Sequence, residues 1–259
     1  MLSPKNILRQ STAFLHKQWF IAFFLLAGCL ESYKKNADFD YWPAWNEPPV
    51  VHTHFALGYA EAHEQAAWVA YELTPEEVDV NLERDGNFRE DPLVLTGTAS
   101  LSDYRKSGYD RGHLAPVGDM NFDSVAMEES FYLSNISPQK RAFNGGIWRR
   151  LEDQVRNWAT EKGGLYVVTG PVLGQSQPTI GENQVTVPNY FYKVLLDERG
   201  DRSQMIALMI PTTARGDDLS AFVEKVDNLE AYTGIDFFPA LPDDLEERLE
   251  SQVKTDGWF

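Results

Sequence analysis

The sequence predicts an α+β fold, a mixed and mainly antiparallel sheet flanked by helices. Three observations carry that expectation. Residues 165–173, 189–198 and 204–211 (LYVVTGPVL, NYFYKVLLDE and QMIALMIP) are short apolar runs of the kind buried strands have. Between Ile147 and Lys162, the apolar residues Ile147, Trp148, Leu151, Val155 and Trp158 recur mostly at spacings of three and four, the stripe of an amphipathic helix. Strand and helix signals do not alternate regularly, which argues against a doubly wound parallel sheet.

Taken in order, residues 1–28 read as a signal peptide. Lys5, Arg9, His16 and Lys17 make a basic start, and WFIAFFLLA at 19–27 is an apolar run too short to span a bilayer comfortably. Leu26-Ala27-Gly28 then places small residues before Cys29, the single cysteine. The pattern resembles the bacterial lipoprotein signal, in which that cysteine is lipidated and becomes the new N-terminus. It implies an exported protein, lipid-anchored in a bacterial cell envelope on its periplasmic or surface face, with the membrane as a partner through Cys29. An ordinary secretory signal or an uncleaved anchor is the alternative. With one cysteine, no internal disulfide can form.

Residues 29–50, polar, aromatic and proline-containing, read as a lipidated tether, and the domain is expected over 51–259. WVAYELT at 68–74 is a strand, stopped by Pro75, with Glu76 and Glu77 opening a helical turn. His63-Glu64 begins like a zinc-protease helix, but Ala67 stands where the second histidine is needed. His52 and His54 lack a third ligand. Phe131–Ser134 is a short apolar run, and Gly163-Gly164 ends the amphipathic helix. Further helices are expected over Asp217–Thr233 and Leu241–Val253.

The net charge is −16, from 23 lysines and arginines against 39 acids. Removing residues 1–28 would leave 20 bases and a charge of −19. Such a balance argues against a general affinity for polyanions, so nucleic-acid binding needs a local basic patch. One exists. Arg105, Lys106, Arg111, Lys140, Arg141, Arg149, Arg150 and Arg156 crowd the middle of the chain, while beyond Asp217 the bases are only Lys225, Arg248 and Lys254. Within the basic stretch, SGYDRGHLAPVGDM (107–120) sets His113 two residues from Arg111. A nearby cation disfavours protonation, which suits a histidine that must accept a proton. Asn144, Trp148, Glu152 and Arg156 follow at spacings of four. Each step turns ~40° about a helix axis, so neighbours in the series share a face, with ~12 Å of rise between Asn144 and Glu152. A neutral amide oxygen suits magnesium, and Glu152 could hold a metal-bound water.

DRGHLAP (110–116), FYLSNISPQ (131–139) and Asn144 with WRRLEDQVR (148–156) together resemble the DNA/RNA non-specific endonuclease family, specifically its endonuclease G-like group. FRED (88–91), DYRKSGYDRGH (103–113), VVTGP (167–171) and TGIDFFPALP (233–242) extend the likeness from about Val51 to Pro242. The resemblance implies a ββα-metal, or His-Me finger, catalytic core. It implies His113 as general base, Asn144 as direct magnesium ligand and Glu152 as the acid orienting a metal-bound water. Arg111 and Arg156 would lie near the scissile phosphate, and Asn135 would line the same site. Arg84 or Arg89 would add a phosphate contact, and Lys140, Arg141 and Arg149 would bind nucleic acid. The cofactor would be Mg2+, with Mn2+ able to substitute and no organic cofactor.

The implied reaction is hydrolysis of DNA and RNA phosphodiesters to 5′-phosphate ends. Phosphate contacts carry no sequence information directly, so little sequence preference is expected. Two rival readings remain: a phosphodiesterase of narrower substrate range, and a catalytically weak surface lipoprotein that binds nucleic acid. The oligomeric state is left open.

Overall fold

The computed structural model describes residues 41–259. The signal peptide, Cys29 and the tether up to residue 40 lie outside the described residues. Part of the stretch expected as tether is packed, and Pro43 is buried. Tyr41, Trp42 and Trp45 lie against the core, and Ala44 N donates to Asp236 O at 2.9 Å. The packed body therefore takes in residues before Val51.

Strands β1 (Val50–Val51), β2 (Ala56–Ala60) and β3 (Gln65–Leu73) form an antiparallel meander. Pro75 closes β3 and opens helix α1 (Pro75–Asp79), where Thr74 accepts from Glu77 N and the Glu77 carboxylate accepts from Thr74 N. Then come α2 (Leu101–Tyr104), β4 (Asp110–His113), α3 (Val117–Met120), α4 (Ser124–Ser130) and β5 (Ile136–Gln139). A helical turn at Arg141–Phe143 and a π turn at Asn144–Trp148 lead into α5 (Arg149–Lys162). Strands β6 (Leu165–Pro171), β7 (Thr179–Ile180), β8 (Val185–Thr186), β9 (Tyr190–Asp197), β10 (Gln204–Pro211) and β11 (Val223–Glu224) precede α6 (Val226–Thr233) and α7 (Asp243–Glu250).

The main sheet runs β1-β2-β3-β6-β9-β10-β11, and each of its pairings is antiparallel. The expectation of a mainly antiparallel sheet holds. Among the described residues, parallel pairing is confined to an isolated bridge between Arg89 and Tyr132. Both faces of the sheet are covered, which is why its strands read as unbroken apolar runs. Tyr71, Val167, Phe191, Leu195 and Leu208 pack with Leu151, Val155 and Trp158 of α5. Trp68, Val168, Tyr192, Val194 and Leu196 pack with Val226 and Leu229 of α6, Leu249 of α7, and Phe237 and Phe238.

Two helix expectations are corrected. Asp217–Thr233 is α-helical only from Val226, after a 3-10 turn at Ser220–Phe222, because Val223 and Glu224 pair with Leu208 and Ala207 and pull the chain into extended form. The last helix is Asp243–Glu250, opened by Pro242.

Candidate active site

Strands β4 and β5 pair antiparallel, Asp110 with Gln139, Arg111 with Pro138, Gly112 with Ser137 and His113 with Ile136. Alternation places Arg111 and His113 on one face of β4. Gly112 faces the other way, where an added Cβ would come within 2.2 Å of the buried Gln139 side chain. A side chain there would have to displace the buried Gln139 amide. The exposed face of this pair meets the start of α5 across a cleft of about 500 Å³. Arg84, Arg111, His113, Asn144, Arg149, Glu152 and Arg156 all line it. His113 and Asn144, more than a helix length apart in sequence, therefore share one cavity.

The His113 ring packs between aromatic side chains, with centroids 5.4 Å from Phe88 and, edge to face, 5.1 Å from Phe131. Its Nε2 is sealed from solvent without a hydrogen-bond partner. Burial first, then the charges of Arg84 and Arg111, pull the imidazole down to about 3, so it is neutral at physiological pH. The same rings hold both cations. Arg111 lies 4.4 Å over Phe88, and Arg84 lies 5.1 Å over Phe131. The sequence had suggested Arg111 as the main influence on the imidazole. Burial outweighs it, and Arg84 precedes it.

The helix side of the cleft is built on a buried polar network. Arg156 Nη1 donates to Asp119 Oδ1 at 2.6 Å, and its Nη2 pairs with Asp153. Asp119 is fully buried and accepts on its other oxygen from Tyr71 Oη at 2.7 Å. Gly118 makes room for this, since a Cβ there would sit 2.7 Å from Arg156 Nη1. Lys193 interrupts the apolar run of β9. Alternation puts it on the same face as Phe191 and Leu195, toward α5. It is fully buried, donates to Thr169 Oγ1 at 3.2 Å and to Leu114 O at 3.4 Å, and lies 5.1 Å from the Trp148 ring. Burial pushes the Glu152 carboxyl up, against the pull of Lys193 and Arg156. Burial pulls Lys193 down, against the pull of Glu152.

The side chains fit a hard divalent cation. Asn144 turns its Nδ2 toward Asp110 Oδ2 at 3.4 Å, leaving the neutral amide oxygen as its other arm. Glu152 supplies a carboxylate to the same cleft. Magnesium takes one or two protein ligands and keeps several waters, so this sparse oxygen set suits it. The uninterrupted helix face expected through Asn144, Trp148, Glu152 and Arg156 is not formed. Residues 144–148 make a π turn, and Gly146 leaves helical geometry at φ −107 and ψ −115. The turn sends Trp148 into the core, stacked on Phe143 at 5.5 Å, and leaves Asn144 on the cleft.

Other expected site residues are placed differently. Asn135 does not line the cleft. It is fully buried, accepting from Ala115 N at 2.9 Å and donating to Ala115 O at 2.9 Å and Ser130 O at 2.8 Å. It clamps the chain just after His113. Of the two upstream arginines, Arg84 lines the cleft, whereas Arg89 lies 4.4 Å over Tyr132 and 3.9 Å from the Glu128 carboxylate. Arg141 borders an adjoining hollow and pairs with Asp110 at 3.3 Å. Lys140 is exposed and is not among the residues lining either cavity. His52 is bonded to buried Asp91 at 2.9 Å and His63 to Thr186 at 2.9 Å, so both are occupied structurally. Sequence reasoning missed Phe88, Phe131, Asp119, Tyr71 and Lys193. A lysine inside an apolar strand and an aspartate inside the APVGDM stretch were signals that could have drawn attention.

A histidine-bearing strand pair facing a helix that carries amide and carboxylate oxygens is a ββα arrangement suited to phosphodiester chemistry. The model of the DNA/RNA non-specific endonuclease family matches residues 42–244, and the chain belongs to that family. It is 36% identical over 207 residues to the mitochondrial nuclease EXOG of Danio rerio, covering 73% of this chain and 60% of that one. It is 33% identical over 216 residues to a nuclease of Nostoc sp., covering 79% and 78%. Endonuclease G of Homo sapiens is 33% identical over 200 residues, covering 71% and 67%. The chain thus spans about three fifths of the length of the EXOG relative. A chain from the crystal structure of the EndoG/EndoGI complex superposes with a TM-score of 0.72 at 31% identity, covering 78% of this chain and 89% of that one.

Proposed function

We propose that the protein is a sugar-non-specific endonuclease that hydrolyses DNA and RNA with magnesium and leaves 5′-phosphate ends. The observation that carries the reading is one cleft holding a neutral, cation-flanked imidazole opposite amide and carboxylate oxygens. Arg84, Arg111 and Arg149 bind phosphate and set the backbone across the cleft. His113 takes a proton from a water whose oxygen attacks phosphorus, and the bond from phosphorus to the 3′-oxygen breaks. Phe88 and Phe131 fix the ring and keep water from its far side. Glu152 orients a metal-bound water through its carboxylate, whose charged form the nearby Lys193 favours. A magnesium ion on the Asn144 oxygen, replaceable by manganese, would supply Lewis-acid charge for the phosphate and the departing oxygen. Arg156, bound by Asp119 and Asp153, acts mainly to fix the α5 side of the cleft.

The decisive experiment incubates the protein with supercoiled plasmid, RNA and a chromogenic diester, with magnesium or with chelator. Cleavage of both polymers in magnesium only, lost in His113→Ala, is expected. Cleavage of the small diester alone would instead favour the narrower phosphodiesterase.

We further propose that the chain is exported and anchored through lipidated Cys29. Among the described residues, no helix is long and apolar enough to cross a membrane. Cys29→Ala should lose incorporation of labelled palmitate and leave the membrane fraction; unchanged labelling would remove the proposal.

A further inference from the structure

A second group of chemistry-bearing side chains lies on the other face of the sheet from α5. Asp227 and Glu230, three apart on α6, and Glu250 at the end of α7 each offer an oxygen within 4.8 Å of the others. Glu250 is only 7% exposed, and its Oε1 has no hydrogen-bond partner. The buried Oε1 of Glu246, one turn earlier on α7, is also unpartnered. Glu230 Oε1 accepts from Phe237 N at 2.8 Å.

Among the described residues, no basic side chain lies within ion-pairing distance of these four carboxylates. Arg248, the base on α7, donates to Asp201 O at 3.3 Å instead. A buried carboxylate with nothing to accept from is costly, and its acidic neighbours compound that cost. Burial and the surrounding carboxylates push Glu250 up to about 8 and Glu230 up to about 7.

We propose that Asp227, Glu230 and Glu250 form a calcium site that ties α6 to α7, separate from the nuclease cleft. Oxygens this close can all touch one ion with bonds of ~2.3–2.6 Å, and calcium accepts several carboxylates in irregular geometry. Magnesium, with bonds of ~2.0–2.1 Å, prefers one or two carboxylates and several waters. Asp227 is exposed, which gives the ion a path in and room for water to complete its shell. The ligands come from two helices joined by an intervening loop, so the ion would act as a staple for the C-terminal layer.

The test uses the full chain in detergent, stripped with chelator and titrated with calcium chloride by calorimetry, with melting followed in parallel. Calcium should raise the melting temperature by about 2–6 °C. The rise should persist in Asn144→Ala, whose nuclease cleft has lost its metal ligand, should be absent in that variant with equal magnesium, and should vanish in Glu250→Gln. Glu250→Gln should melt no lower than the parent without calcium and should cleave plasmid in magnesium at the parent rate. Asp227→Asn, at an exposed position, should weaken calcium binding at least about tenfold. No calcium heat, an equal response to magnesium in Asn144→Ala, or an undiminished rise in Glu250→Gln would each overturn the site.

Discussion

The imidazole of His113 is desolvated by Phe88 and Phe131 and flanked by Arg84 and Arg111, and each influence opposes its protonation. Because the folded value lies near 3 and the ordinary value is 6.5, the unfolded chain binds a proton in that interval that the folded chain refuses. Stability should therefore be unaffected by this group above pH 6.5 and fall as pH drops toward 3. His113→Ala removes the coupling. Denaturant midpoints of parent and variant should converge between pH 7 and 4.5 by comparison with their separation at pH 7; parallel curves would show that the ring is not held neutral. The same substitution should lower plasmid cleavage by about 10²- to 10⁴-fold with the fold intact, as loss of a general base does. Arg84→Ala should move the acid limb of kcat/KM upward more than Arg111→Ala does, since Arg84 is the larger electrostatic influence on the ring.

At the scale of elements, the loop after β4 is fixed by one amide. Asn135 holds Ala115 on both sides of its peptide and also holds Ser130. Asn135→Ala strands those buried backbone groups, and should cost about 1–3 kcal/mol of stability. It should also lower kcat with KM little changed, because it shifts His113 without touching phosphate; circular dichroism melts and steady-state kinetics on one duplex would show both. A variant with parental kcat would reduce Asn135 to a purely structural clamp. That role was invisible in the sequence, where the family resemblance implied that Asn135 lines the site itself. The strands β6, β9 and β10 were legible because burial on both faces makes them continuous apolar runs. α5 was legible because only one stripe of it is buried. Its start was legible only as a doubt: Gly145-Gly146 signal a loosened boundary, and the π turn there breaks the period on which the reading depends. Lys193 required the fold: alternation says which face of β9 it takes, but only the sheet order brings that face under Glu152. The 217–233 segment misled because periodicity cannot see that Val223 and Glu224 pair with β10.

On the scale of the whole molecule, a chain with a net charge of −16 carries a cleft lined with arginine. Arg156 is committed to Asp119 and Asp153, and Arg141 to Asp110. Arg84, Arg111 and Arg149 line the cleft with no carboxylate in ion-pairing distance among the described residues. Binding should therefore release few counterions. Three neutralised phosphates give a slope of about −3 for log affinity against log salt on duplex DNA. Raising salt from ~50 to ~200 mM should then weaken binding about 40-fold, far less than for proteins making six to ten phosphate contacts. The measurement is fluorescence anisotropy of His113→Ala on a short duplex in chelator, so that neither cleavage nor magnesium intrudes. Arg111→Ala should reduce the slope by about 1. Arg89→Ala should leave it unchanged, because that guanidinium lies on Tyr132 beside Glu128, outside the cleft. A slope steeper than about −6 would mean that bases beyond the cleft, Lys140 and Arg105 among them, also hold the backbone. The binding surface would then be the whole basic middle of the chain and not the cavity around His113.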